Sequence, residues 1–269
     1  MIKFENTEVW GFEHALRGMR NPLASWDKSD SGYYGSSVGN KNYIIGEKDL
    51  ELCQKLIKGG SEHRKFLRQI FVSVDITAPL YWWKEADTYK IGTVANSCST
   101  MHTIHKKKFA LDDFSYEHLI DIEEMNAMKE NRPGLVYRFD RQDEESKDWY
   151  EVCPVGILVQ NIDMLNICRE LYLQTNDKKY WWQMIQLLPS SYNQKRTITL
   201  NYENLRSMYF QRRNHKLDEW REGFCNWVKS LPYAEELIIF EAGEPAVVFV
   251  KTAKYDDGGS MPYILNPAT

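Results

Sequence analysis

Ile70, Val72, Val74 and Ile76 alternate with Phe71, Ser73 and Asp75, the period-two pattern of a strand with one buried face. Ala78-Pro79 ends it, and the spacing from Leu80 to about Lys90 predicts a helix. Upstream, Val9, Trp10, Gly11 and Phe12 read as a short strand entering a helical turn that stops near Arg17 and Gly18. Residues 21–42, rich in Ser, Asp, Gly and Asn, read as a long loop; Trp26, Tyr33 and Tyr34 give it enough apolar surface to be partly ordered and to fold over a site. Asp49 is placed to cap a helix over Leu50 to Lys58, with Leu52, Cys53, Leu56 and Ile57 as its apolar stripe and Gly59-Gly60 as its stop.

The stretch 106–150 is highly charged, with one short helix inside FSYEHLIDIEEMNAMKEN and an exposed linker, RQDEESKDWY. Ile157 to Leu173 predicts a helix with a broad apolar face, and Tyr180 to Leu188 a second. The strongest helical pattern starts at Asn201, where Leu217, Trp220, Phe224, Trp227, Val228 and Leu231 form one buried stripe before Pro232. LIIF, EAGEP and AVVFV read as a closing hairpin over 236–251. No repeat or clear linker interrupts this order, so a single α+β domain over 1–269 is expected.

At 269 residues, 43% hydrophobic and 27% charged, the chain can bury a core. Its net charge of -4 gives no general attraction to nucleic acid or to an anionic membrane. The five cysteines are scattered, with no Cys-x-x-Cys pair, which argues against a zinc knuckle or disulfide framework and suits a reducing cytoplasm. The first residues have no basic start leading into an apolar run, and no stretch reaches membrane-spanning length, so a cytoplasmic protein is expected.

Candidate chemistry concentrates in APLYWWKEADTYKIGTVANSCSTMH, Ala78 to His102, where aromatics stand beside hydroxyls and amides as in the wall of a polar ligand site. The same residues would also serve as a helix end and a hydroxyl-rich capping loop. Trp82 and Trp83 suit a stacked ring or a core, and Glu85 and Asp87 suit a solvated helix face as well as a site. Cys98 and Ser99 have no base near them in sequence, which leaves Ser99 a hydrogen-bonding role. His102 and His105 stand three apart without a third ligand, so no metal is assigned. Arg196, Arg206, Arg212 and Arg213 form the best basic patch; Arg212 and Arg213 point about 100° apart on a helix, so one of them at most faces a given ligand. Ion pairs to Glu203, Asp218 and Glu222 are the competing use of these arginines.

A helix ends in Gly-Gly before His63 and Phe66; a strand runs to Ala78-Pro79; a helix and the loop Asn96 to Ser99 follow. Leu188-Pro189, Asn201 and NLRSMYFQRRNHKLDEWRE come later. In this order of features, over about half of its length, the chain resembles the flavin-dependent thymidylate synthases (ThyX type). The resemblance implies a central antiparallel sheet flanked by helices in a homotetramer, with flavin sites at subunit boundaries. It also implies methylene transfer from a folate to dUMP, with reduction of the methylene by FADH2, which is oxidised to FAD and regenerated by NADPH. By this resemblance His63, Tyr89, Lys90, Asn96 and Asn201 fall on the flavin side. Glu85, Ser99, Thr100, Arg196, Arg212 and Arg213 fall on the substrate side, with Arg213 polarising the pyrimidine and Ser99 positioning it.

The departures bear on the substrate. Thr88-Tyr89-Lys90 stands where the family has Arg-His-Arg, Thr100-Met101 stands for a Gly-Arg, and Ile185 or Gln186 for a nucleotide arginine. Each charge-assisted bond lost from a phosphate is worth about 1.5–3 kcal/mol, so two losses weaken dUMP by orders of magnitude unless other bases replace them. Two functions follow: a divergent flavin enzyme on a pyrimidine nucleotide, or a non-catalytic homologue that keeps the fold as a nucleotide-binding or assembly module.

Overall fold

The computed structural model describes residues 2–34, 42–131 and 153–241, together with 252–254 and 260–262. In chain order the elements are β1 (Lys3–Trp10), α1 (Phe12–Arg20), β2 (Gly32–Tyr34), β3 (Asn42–Ile44), α2 (Glu47–Lys58), β4 (Phe71–Pro79), α3 (Leu80–Ala86), β5 (Val94–Ser97) and α4 (Thr100–Thr103). Then come α5 (Ile122–Asn131), α6 (Pro154–Thr175), α7 (Lys178–Leu187), β6 (Asn193–Asn201), α8 (Tyr202–Arg212), α9 (Cys225–Lys229), β7 (Thr252–Lys254) and β8 (Ser260–Pro262). The chain gathers into two compact units.

The first unit comprises Ile2–Ile76, Asp87–Asn96 and Thr197–Thr269. The strands β1, β4, β6 and β5 form one antiparallel sheet in that order. Asn6 reaches Asp75 while Trp10 stacks on Phe71, and Thr199 bonds Ser73 while Thr197 bonds Asp75. In each pair one chain index rises as the other falls, as antiparallel neighbours require. Val72, Val74 and Ile76 are buried, and Phe71, Ser73 and Asp75 are more open, so the alternation in sequence is the alternation of faces. The Lys65–Gln69 turn packs against both α1 and α8.

α2 begins earlier than its sequence pattern suggests. Gly46 is its N-cap, and the Asp30 carboxylate accepts from Lys48 N at 2.9 Å and Asp49 N at 3.1 Å. A Cβ on Gly46 would lie 2.2 Å from Asp30 Cγ, so only glycine fits there. Asp49 is therefore not the cap. It is fully buried and holds Arg20, with Arg20 Nε donating to Oδ1 at 2.6 Å, while Ser29 and Ser31 hydroxyls donate to Oδ2 at 2.6 Å. Burial would raise the Asp49 carboxyl, but bonds from Ser29, Ser31 and Arg20, with the charge of Arg20, outweigh it and hold it below its ordinary value.

The 21–42 stretch, read as a loop, contains two 3-10 turns and strand β2, which pairs antiparallel with β3 in the register Gly32↔Ile44, Tyr33↔Tyr43 and Tyr34↔Asn42. The helical pattern after Asn201 breaks into α8, a π-helical turn over Glu219–Phe224, and α9, with Trp220, Phe224, Trp227, Val228 and Leu231 buried as the stripe requires. Leu237 and Ile238 lie in a second π-helical turn, Ala234–Ile238, and so do not start a hairpin; AVVFV lies outside the described residues. The expected linker RQDEESKDWY lies outside them too.

The second unit comprises Thr77–Ala86 and Ser97–Arg196. α6 and α7 form an antiparallel pair joined by Asn176, in the left-handed region at φ 54°, and Asp177, whose carboxylate caps α7 by accepting from Lys179 N at 2.9 Å. Ile104, Phe109, Phe114, Leu158, Ile162, Leu165, Cys168 and Met184 make its core. Asn166 is buried there and satisfied, because it accepts from Phe109 N at 2.9 Å and donates to Phe109 O at 3.0 Å. Trp82 and Trp83 are also buried, edge to face with centroids 4.8 Å apart, which settles their use as core. Among the described residues no helix is long and apolar enough to cross a membrane.

Candidate functional site

In the first unit the Lys90–Thr93 turn is tied to the start of α8. Asn201 caps this helix, its Oδ1 accepting from Asn204 N at 3.0 Å, and Asn204 Nδ2 donates to Ile91 O at 2.7 Å. Gly92 has φ 73°, and a Cβ there would sit 3.1 Å from Asn201 Nδ2 and 3.2 Å from Asn204 Oδ1. Glycine thus serves both the left-handed turn and the close approach. Next to it, Thr93 Oγ1 is buried and makes no hydrogen bond to any described residue. A buried hydroxyl without a partner is costly and rare, and at a turn this closely held it marks a place for a polar ligand.

The same turn carries Tyr89. Its hydroxyl donates to Gln211 Oε1 at 2.9 Å and accepts from Arg212 Nε at 2.9 Å. The Arg212 guanidinium lies 5.4 Å from the Tyr89 ring centroid and 4.9 Å from that of Trp220, between two aromatic rings. Trp220 is fully buried, so this clamp is anchored in the core.

The other arginines of this unit have different partners. Arg213 is exposed, pairs with Glu241 and lies over Phe210. Arg206 donates to the carbonyls of Ile238 at 2.6 Å and Phe240 at 2.7 Å; burial, then the nearby Arg64 charge, lowers its pKa to about 10. Arg64 Nε reaches both oxygens of Glu203, at 3.0 and 2.9 Å. Of the two adjacent arginines, Arg212 meets Tyr89 and Arg213 meets Glu241. His63, Lys90 and Asn96 are exposed, and Asn201 is buried in its cap.

In the second unit Ser99 caps α4, accepting from His102 N at 3.4 Å. Thr100 Oγ1 accepts from Gln194 Nε2 at 3.2 Å, and the same nitrogen donates to Cys98 O at 2.8 Å. Arg196 donates from Nε to Gln194 Oε1 at 2.9 Å and stacks 4.3 Å from the Trp83 ring centroid. Trp83 Nε1 in turn donates to Gln194 O at 2.9 Å. Gln194 is thus the residue that joins Thr100, Cys98, Arg196 and Trp83, and sequence reasoning passed over it. Its signal was its place two residues before Arg196 on a strand, which puts both on one face. Glu85, read as surface, is half-buried. Among the described residues no group of three His, Cys, Asp or Glu side chains gathers to hold a metal.

The Asn201 amide, the Lys90 cation and the orphan Thr93 hydroxyl at this turn are group types that could hold the polar ring edge and pyrophosphate of a flavin.

No protein-family model matches the chain, and no curated protein matches it. Solved structures do. A crystal structure of the flavin-dependent thymidylate synthase ThyX from Helicobacter pylori, complexed with FAD and dUMP, superposes with a TM-score of 0.55 at 16% identity, over 88% of this chain and 97% of that one. A second structure of the same enzyme, with FAD and dUMP at 2.31 Å, gives 0.53 at 16% identity over 88% and 96%. The chain has a ThyX-like fold.

Proposed function

We propose that this chain is a divergent flavin-dependent enzyme of the ThyX type that binds FAD and a pyrimidine deoxynucleotide. The observation that carries the reading is the shared fold, over 88% of the chain, with a protein solved with both molecules bound. His63, Lys90, Asn96 and the Nδ2 of Asn201 hold the flavin, and FAD when bound supplies the redox chemistry. Arg213, or its neighbour Arg212, faces the pyrimidine and polarises a ring carbonyl, a task suited to a guanidinium that does not lose its charge. In the second unit Ser99, Thr100 and Arg196 are substrate candidates in their own right, with Arg196 as the replacement for an absent phosphate arginine. NADPH and a methylene-bearing folate are the expected co-substrates, in a cytoplasmic homotetramer.

The Thr88-Tyr89-Lys90 triplet and Thr100-Met101 favour a second reading, a non-catalytic homologue that binds nucleotide without turning it over. dUMP titrated into the FAD-loaded protein, followed by flavin absorption and then by NADPH oxidation, separates the two. A perturbed flavin spectrum with dUMP-dependent NADPH oxidation is the expected result. A perturbed spectrum without oxidation leaves the second reading, and no response to dUMP overturns both.

A further inference from the structure

We infer that the outer face of α6 is a contact between two copies of this chain, whose α6 helices lie in parallel across a twofold axis; the inference takes up the homo-oligomer of the reading above and names one interface in it. α6 buries Leu158, Ile162, Leu165 and Cys168 in the second unit's core. A helix that packs on one side alone is polar on the other. This one is not. Ile157, Met164 and Ile167 are 55%, 48% and 50% exposed, and Leu171 is half-buried. With Gln160 and Gln174 they fall at 157, 160, 164, 167, 171 and 174, the alternating three-and-four spacing of a coiled-coil seam. At 100° per residue this seam is turned by roughly 130° from the buried residues, and it runs most of the length of the 22-residue helix. Apolar surface arranged in one continuous strip marks a contact, where scattered exposed residues would not.

The seam itself specifies a second copy as its occupant. Once dehydrated, the Gln160 and Gln174 amides each need a partner that both donates and accepts, and a glutamine at the same level is such a partner. Two α6 helices in parallel bring each glutamine to its own counterpart, with Ile157, Met164, Ile167 and Leu171 meeting theirs in the layers between. Charge sets the direction. Asp163 and Glu170 are exposed along one flank of the seam, and neither has an ion pair among the described residues. In the parallel arrangement they come opposite the counterparts of Cys168 and Thr175, which carry no charge. In the antiparallel one Asp163 would face Glu170 of the second copy, a like-charge contact repeated on both sides of the axis. A twofold contact of this kind uses the same patch on both chains and closes on itself.

The test uses the full chain, with its mass read by analytical ultracentrifugation over a concentration series. Ile167→Lys sets two ammonium groups in the middle of the contact and is expected to weaken self-association at least about a hundredfold, so that the mass falls by half. Ile167 is half exposed within one chain, so the lysine leaves the fold intact, which circular dichroism checks. The direction is read by cross-linking. In a Cys98→Ser background, which removes the exposed cysteine, Gln160→Cys is expected to give a disulfide-linked dimer on mild oxidation. Antiparallel helices would set Gln160 against Leu171 of the second copy, hold the two thiols about 16 Å apart and give none. Unaltered protein that stays monomeric, an Ile167→Lys mass equal to that of the unaltered protein, or no cross-link from Gln160→Cys overturns the inference. FAD titrated into the same samples keeps the two readings apart: a chain that ignores FAD yet halves in mass with Ile167→Lys overturns the functional reading alone.

Discussion

Asp49→Asn removes the charge that neutralises Arg20 inside the first unit. Both partners are buried, at 0% and 5% exposure, and the carboxylate also serves two serine hydroxyls. Asparagine fits the same volume but can accept at only one oxygen. An amide nitrogen in place of Oδ2 leaves both serine hydroxyls without their acceptor, one in place of Oδ1 leaves Arg20 Nε without its own, and either way the guanidinium stays buried as an uncompensated charge. Breaking a buried pair from one side costs about 3–5 kcal/mol. At about 2–4 °C per kcal/mol for a protein of this size, the melting temperature should fall by roughly 6–20 °C. Urea denaturation followed by tryptophan fluorescence and by circular dichroism gives the free energy. The joint replacement Arg20→Met with Asp49→Leu should recover much of the loss, since it removes both charges together.

The pH dependence has a fixed sign. The folded carboxyl lies below its unfolded value, so its contribution is fully present above about pH 4 and is lost as pH falls through the folded value. The unaltered protein should therefore lose stability more steeply below pH 4 than the Asn variant. A cost under about 1 kcal/mol for Asp49→Asn, or identical acid limbs, would refute the reasoning.

Three further outcomes follow from other parts of the molecule. Gly92→Ala must hold φ at 73° and place a methyl 3.1 Å from Asn201 Nδ2; urea denaturation should show a loss of about 1–2 kcal/mol, with weaker flavin binding. Leu165→Ala empties the middle of the second unit's core and should cost about 2–5 kcal/mol by the same method. Arg213→Ala removes an exposed ion pair to Glu241 and should change the free energy of urea denaturation by less than about 1 kcal/mol.

How much of this was legible depends on whether the cause is local. β4 shows in sequence because one buried face imposes alternation on seven consecutive residues, and α6 and α7 show because their apolar positions repeat at helical spacing. The start of α2 does not, because its cap is Asp30, 16 residues before the N-cap glycine, and Asp49 inside the first turn mimics a cap. β2 and β3 are three residues each, too short for a periodic signal, and their pairing joins segments eight or more residues apart. The stripe from Trp220 to Leu231 is legible in its burial, with Leu217 only half-buried at its edge, but not in its continuity, because apolar spacing survives a π-helical turn. At the site, helix geometry fixed that Arg212 and Arg213 diverge. Which of them meets Tyr89 depends on a contact 123 positions away in sequence, which no local pattern records.

The measurement that bears most directly on the central claim is an equilibrium titration of FAD into the purified protein, read by flavin absorption and fluorescence. Saturation near one FAD per chain, with a shifted absorption band, is the expected result, weakened by Gly92→Ala. A protein that leaves the flavin spectrum unchanged at all concentrations would contradict the account and leave the fold without the cofactor.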